Sequence, residues 1–158
     1  MNYLREIAGP YSKLYIKRDL LNAGEIHAWA ISEGFVTTSN EMHVTIALSK
    51  HEVDWSRFKP QTDRVNLIDT RDRDIRQLDD AYVLRFYSFE LWQRWTYLRT
   101  NGITMEHSDF IPHVTVSYRS PKRPLSSIKP YTGPLLFGPE EFKPFDFTYK
   151  QKLRNSEY

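Results

Sequence analysis

Cysteine is absent from the 158 residues, which excludes disulfides, thiolate metal sites and a cysteine nucleophile, and fits a reducing compartment. Glycine is scarce, six residues with none grouped, so there is no Gly-rich loop to cradle a nucleoside triphosphate. No apolar run approaches the roughly 20 residues of a membrane-spanning helix. The opening letters MNYLREIAGP lack the basic-then-apolar order of a signal peptide, so the expected location is the cytoplasm, with no membrane contact. A large excess of one charge is also missing. Twenty-two Lys and Arg against twenty Asp and Glu leave a formal net charge of +2 and a pI near 8.8. That mild basic bias favours an anionic ligand without forming the dense basic stripe of a duplex-DNA binder.

What is present is enough apolar material, 40% of residues with 15% aromatic, to bury one sizeable core but hardly two. Residues 1–158 therefore read as a single domain of α+β class. From Pro10 the letters YSKLYIK alternate as a strand, with Ser12, Leu14 and Ile16 on one side and Tyr11, Lys13, Tyr15 and Lys17 on the other. Asp19 offers a helix N-cap, Leu20, Gly24, Ala28, Ile31 and Phe35 follow at helical spacing, and Gly34 supplies the stop. A strand with the letters HVT comes next.

The order then repeats. AYVLRFYS from Ala81 reads as a strand, FELWQRWTYLR from Phe89 as a helix turning Leu91, Trp92, Trp95 and Leu98 inward, and Asn101-Gly102 as its end. A second HVT strand follows. Strand, helix, HVT strand occurring twice predicts two lobes related by a pseudo-twofold axis. Between them VNLIDTRDRDIRQLDD reads as short strands around a solvated charged turn, or alternatively as a basic rim near a phosphate. The Pro- and Ser-rich SPKRPLSSIKP reads as a surface loop or lid. The stretch LLFGPEEFKPFDFTYK reads as edge strands broken at Pro139 and Pro144.

The repeated triplet carries the chemistry. Successive strand residues point to opposite faces, so His43 and Thr45 share a polar face with Ala47 and Ser49, against Met42, Val44, Ile46 and Leu48. His113, Thr115 and Ser117 likewise oppose Pro112, Val114, Val116 and Tyr118. Two imidazoles and two hydroxyls aimed into one groove suit a phosphodiester. One histidine takes a proton from the nucleophile, the other gives one to the leaving oxygen, and the threonine hydroxyls donate to the non-bridging oxygens. One His-x-Thr in a strand is ordinary scaffold; two at equivalent places in a repeated unit point to chemistry. Of the other histidines, His107 is better placed for the groove than His27 or His51. No HxH or HExxH pattern and no carboxylate at fixed spacing accompanies either motif, which argues against a metal site and for chemistry without a cofactor.

The paired H-x-[ST]-hydrophobic motifs, HVTI at 43–46 and HVTV at 113–116, resemble those of the 2H phosphoesterase superfamily. The resemblance covers nearly the whole chain. It implies a bilobal α+β fold with antiparallel sheets lining a central groove and helices outside, one motif from each lobe. It also implies metal-free action on 2′,3′-cyclic phosphates, 2′-5′ linkages and related phosphodiesters. Within the superfamily, PYSKLYIK, the motif spacing, FIPHVTVSY and GPEEFKP are most similar to the phage anti-CBASS phosphodiesterases, which degrade cyclic di- and trinucleotide alarm signals of bacteria. Carried over, His43, Thr45, His113 and Thr115 are the catalytic tetrad, while Tyr11 and Glu141 fall where that group reads the base, with Glu140 the competing acid. RDRDIRQ offers no tryptophan where that group stacks one on a base.

The residues themselves extend this picture. Lys13 beside Tyr11 and Tyr15 mixes cations with aromatic platforms, as nucleotide binding requires. Phe145, Phe147 and Tyr149 alternate as a possible aromatic wall of the groove. The expected function is cleavage of cyclic di- and trinucleotides, with no obligate protein partner. The alternatives are a 2H enzyme acting on 2′,3′-cyclic phosphate or 2′-5′ RNA ends, and a non-catalytic sponge for cyclic nucleotides.

Overall fold

A computed structural model of the chain describes residues 12–68 and 71–145. In chain order the elements are β1 (Lys13–Leu20), α1 (Ala23–Glu33), β2 (His43–Glu52), β3 (Val65–Leu67), β4 (Asp74–Leu78), β5 (Ala81–Arg85), α2 (Phe89–Thr100), β6 (His113–Ser117) and β7 (Leu135–Pro144). The α+β class stands. In place of separate sheets for two lobes, the strands form one antiparallel sheet in the order β3-β7-β1-β2-β6-β5-β4. The physical reason lies at its centre. β2 pairs β1 on one side and β6 pairs β5 on the other, leaving each motif strand one edge of N–H and C=O groups. Those groups are satisfied when the two strands meet, at Val44↔Val114.

Strand, helix, strand does repeat as expected, with β1-α1-β2 matched by β5-α2-β6. Each helix packs on the other unit's motif strand, α1 on β6 and α2 on β2. Between sheet and helices lie Ile16, Val44, Ile46, Leu84, Val114 and Val116, with Ile26 and Ala30 from α1 and Leu91 and Leu98 from α2, all buried. Among the described residues no helix is long and apolar enough to cross a membrane.

Several local expectations change. Asp19 stays in β1 opposite His43, and α1 begins after Asn22. Its inward stripe is Ile26 and Ala30, whereas Gly24, Ala28 and Ile31 are exposed. The helix is apolar on more than one side, so spacing alone does not choose its face. Gly34 ends it as expected, at φ 109°, a backbone conformation that favours glycine. In α2, Ser88 caps the Leu91 N–H at 3.1 Å; Leu91, Trp95 and Leu98 are buried. Trp92, expected inward, is 45% exposed and stacks on Phe89 at 6.0 Å.

The segment after Val65 is not a hairpin on itself, because β3 pairs β7 while β4 pairs β5 at the opposite edge. Seven Cα steps from Leu67 to Asp74 reach at most about 24 Å, less than the roughly 29 Å across seven flat strands, so the sheet must curl. Phe86, just past β5, accordingly stacks on Phe137 of β7 at 5.6 Å. Pro139 does not break an edge strand. It lies inside β7, between β3 and β1, at the register shift opposite Arg18 to Leu20, where a ladder hydrogen bond is already interrupted.

Glu140 fixes α2 to this strand. Its carboxylate accepts two hydrogen bonds from Arg94, both 2.9 Å, and one from the Gln61 N–H, also 2.9 Å. The Glu140 side chain is fully buried. Glu140→Ala strands the guanidinium and the amide, and is expected to cost about 3–5 kcal/mol, read as a lower urea midpoint at unchanged slope; a loss below about 1 kcal/mol contradicts this account of the packing.

Candidate active site

His43 opens β2 and His113 opens β6. Continuing the antiparallel register one residue either way from Val44↔Val114 sets His43 opposite Thr115 and Thr45 opposite His113. All four side chains therefore project from adjacent strands onto one face, at the ~5 Å spacing of cross-strand neighbours. The four residues sequence reasoning singled out are brought together, and all four line a groove of about 620 Å³.

Each histidine is held in the same way. Its Nδ1–H donates to the carbonyl two residues upstream, His43 to Glu41 at 2.7 Å and His113 to Ile111 at 2.8 Å. A carbonyl only accepts, so the proton sits on Nδ1 of the neutral ring and the lone pair on Nε2. Burial lowers the pKa of both rings below 6.5. For His43 the Glu41 carbonyl opposes the lowering and the Lys17 ammonium adds to it; for His113 the Ile111 carbonyl opposes it and the Arg85 guanidinium adds to it.

Both motif strands carry a bulge directly after the threonine. In β1–β2 the pairing steps from Lys17↔Thr45 to Ile16↔Ala47, making Ile46 the extra residue. In β5–β6 it steps from Val83↔Thr115 to Tyr82↔Ser117, making Val116 extra. The bulge reverses the alternation, so Ala47, Ser49 and Ser117, expected on the polar face, are buried. Leu48 and Tyr118, expected to face the core, line the groove. Ser49 Oγ is spent accepting from the Leu14 N–H at 2.8 Å.

Tyr15, read from the sequence as one of the aromatic platforms on the polar face of the first strand, lines the groove. It is 8% exposed, and its hydroxyl lies 2.9 Å from His43 Nε2 and 3.2 Å from Thr45 Oγ1. The usable signal was its place on the strand face that Lys17 and Asp19 share with the motif. Lys17 is buried too; its ammonium donates to Asp19 and lies 3.5 Å from Glu141. Burial and the Asp19 carboxylate raise Glu141. Asp19 is lowered: burial works against its charge, but the hydrogen bonds from Lys17 and Glu141 outweigh it.

Of the proposed binding residues, Glu141 sits in β7 opposite Lys17, two strands from Thr45. Glu140, the competing acid, is committed to Arg94. Lys13 is exposed, pairs with Glu52 and is not among the residues lining the groove. Tyr11 and Phe147 lie outside the described residues. His107 does reach the groove, while His27 bonds Thr38 at 2.6 Å. The basic rim is replaced by acid: Asp79 and Asp80, at the β4–β5 turn, line the groove, and Arg85 forks onto Asp74 at 2.7 and 2.6 Å. SPKRPLSSIKP is not poised over the groove. It is tied to α1, through Trp29 to the Lys129 carbonyl at 2.9 Å and the Lys129 N–H to Glu33 at 2.8 Å. Among the described residues no group of three or more His, Asp or Glu side chains is arranged to hold a metal ion.

The model of the family "Anti-CBASS protein Acb1" matches residues 12–152, spanning both motif strands and β7. The chain belongs to the Acb1 family. It is 34% identical over 151 residues to an Acb1-described protein of Caulobacter sp. (strain RHG1), covering 90% of this chain and 24% of that one. It is 39% identical over 139 residues to another from Sphingomonas paeninsulae, covering 82% and 22% respectively. The chain thus spans about a quarter of the length of these curated relatives.

The depressed histidines tie stability to pH. The unfolded rings take up a proton near 6.5, whereas the folded rings resist it, so the stability is present above about 6.5 and lost as pH falls through the lower folded values. Urea midpoints should hold between pH 8 and 7 and decline below 6.5, less steeply in the His43→Asn, His113→Asn double variant. An identical slope in the variant contradicts the burial account.

Proposed function

We propose that this Acb1-family chain is a phosphodiesterase of the 2H type that opens 3′-5′ linkages of cyclic di- and trinucleotides without a metal ion, so removing the signals on which CBASS immunity depends. The observation that carries the reading is the quartet of His43, Thr45, His113 and Thr115, joined across one strand pair in a groove of ligand size. The printed name of the relatives, "Anti-CBASS protein Acb1", supports the biological direction.

The chemistry follows from the side chains. One imidazole removes the proton of the substrate's own 2′-hydroxyl, whose oxygen attacks the adjacent phosphorus. The other supplies a proton to the departing 5′-oxygen. Hydroxyls of Thr45 and Thr115 donate to the non-bridging oxygens as negative charge builds on them. The product is linear, ending in a 2′,3′-cyclic phosphate that water opens with the roles reversed. With Nδ1 of each motif ring bonded to a backbone carbonyl and the Tyr15 hydroxyl on Nε2 of His43, the donor set suits proton transfer better than metal ligation.

In excess EDTA, the protein is expected to cut 3′,3′-linked cyclic dinucleotides, with His43→Ala and His113→Ala each slowed by about 10²–10⁴-fold. A substrate carrying 2′-deoxyribose at the cleaved position should resist. Mass spectrometry of the products decides: no cutting of cyclic di- or trinucleotides alongside opening of RNA 2′,3′-cyclic ends moves the activity to RNA, and intact ligand recovered bound makes the chain a sponge.

A further inference from the structure

The two HVT units match in their triplets, their Nδ1 hydrogen bonds and their bulges, but the loops that lead into the two histidines differ. In the first unit the stretch from Gly34 to Met42 turns away from the groove. Thr38 and Ser39 are buried there, the Ser39 N–H donates to the Val116 carbonyl at 2.7 Å, and none of these residues lines the groove. In the second unit Met105, His107, Ser108, Asp109, Phe110 and Ile111 all line it. The loop before His113 thus builds a wall for which the loop before His43 has no counterpart.

That wall is fixed at both ends. The Lys50 N–H donates to the Thr104 carbonyl at 2.7 Å and the Glu106 N–H to the Leu48 carbonyl at 2.9 Å, with Met105 bridged to Ser49. At the other end the Phe86 N–H donates to the Pro112 carbonyl at 3.1 Å, and the Ile111 carbonyl holds His113. Phe110 lies between, half-buried. Its ring stacks on Trp95 at 5.9 Å and 18°. Trp95 is itself buried, with the Arg99 guanidinium 5.4 Å from its ring. A phenyl ring backed in this way is a rigid flat surface at the groove, and little ordering cost is left to meet on binding.

The composition of the groove decides what such a surface is for. Among the described residues that line it there is no Lys or Arg, while Asp79, Asp80 and Asp109 are present. A cyclic dinucleotide carries two phosphates, so ion pairs with Lys or Arg of the lining do not supply its affinity, and contacts to its uncharged parts must. The base is the largest of those parts, and its faces stack well on an aromatic ring. Three residues of chain keep the Phe110 backbone within about 11 Å of that of His113, the reach of a nucleoside hanging from a phosphate seated at the quartet.

Resting on the phosphodiesterase reading above, we propose that one nucleobase of the cyclic nucleotide stacks on Phe110, making the loop from Met105 to Ile111 the nucleoside-binding wall of the groove beside His113. The base adds a further ring to the Trp95–Phe110 stack and seats the nucleoside whose phosphate lies between the two triplets. Stacking accepts any base, so this contact supplies affinity and placement and leaves the choice of base to other groups.

The probe is the cyclic dinucleotide of deoxyadenosine, which lacks the 2′-hydroxyl nucleophile and stays intact. With the unmodified protein, the adenine protons are expected to move upfield on binding and to show nuclear Overhauser contacts to the Phe110 ring; contacts elsewhere in the groove and none to Phe110 overturn the proposal. By calorimetry, Phe110→Leu, which keeps apolar volume against Trp95 but has no π-face, is expected to bind about 5- to 140-fold more weakly, with Phe110→Tyr within about threefold of the wild type. A Phe110→Leu variant that binds as tightly as the wild type, or Leu and Tyr variants equally weak, makes Phe110 a packing residue and removes the stack. Cleavage of the ribose form is scored separately. A wild type that cuts it with no base contact at Phe110 removes the stack and keeps the phosphodiesterase reading; one that shows the contact and cuts nothing keeps the stack and removes that reading.

Discussion

The groove that holds both HVT triplets rests on one antiparallel contact, Val44 against Val114. Both valines are fully buried and anchor the core beneath the sheet, while the residues flanking each point the other way. Because the contact falls on the middle letter of both triplets, it delivers two imidazoles and two hydroxyls to the same patch of the opposite face. A one-residue slip would turn each histidine toward the helices and each valine toward water, so the apolar core that fixes the register also fixes the chemistry.

The remaining architecture protects that contact. The helices cross over, each covering the other unit's motif strand, and the sheet curls until Phe86 meets Phe137. The Arg94–Glu140 pair then ties α2 to β7 across the molecule. The two bulges shape the groove itself by bringing Leu48 and Tyr118 to its wall. On one side of the face that carries the two triplets, Lys17, Asp19 and Glu141 form a linked cluster of charge; beyond β6, Arg85 and Asp74 form another.

Much of this was legible in the letters. The repeated HVT, the α+β order, the common face of each His-x-Thr pair and the ends of both helices at Gly34 and Asn101-Gly102 all followed from local periodicity and turn chemistry. What was not legible depended on partners distant in sequence. Nothing in β2 or β6 announces that they pair, and Ile46 or Val116 looks like any strand residue until its neighbour fixes it as a bulge. Tyr15 and Lys17 were read on the polar face of the first strand, as nucleotide binding requires, but their burial there comes from β2 and β7 on either side, which the letters of β1 do not name. Glu140 and Glu141 are neighbours in sequence, and only the reach of Arg94 from α2 separates a structural acid from one near the site. The inward face of α1 was missed for the opposite reason, an excess of apolar residues around the helix.

The central claim is that both triplets act on one phosphate. The most direct measurement is a crystal structure with a cyclic dinucleotide whose 2′-hydroxyl is replaced by hydrogen at the reacting position, which binds but lacks its nucleophile. The account predicts one phosphate seated between the His43 and His113 sides of the groove, with both threonine hydroxyls on its non-bridging oxygens. A phosphate bound away from the β2–β6 junction, or a metal ion ligated by the two imidazoles, would contradict it.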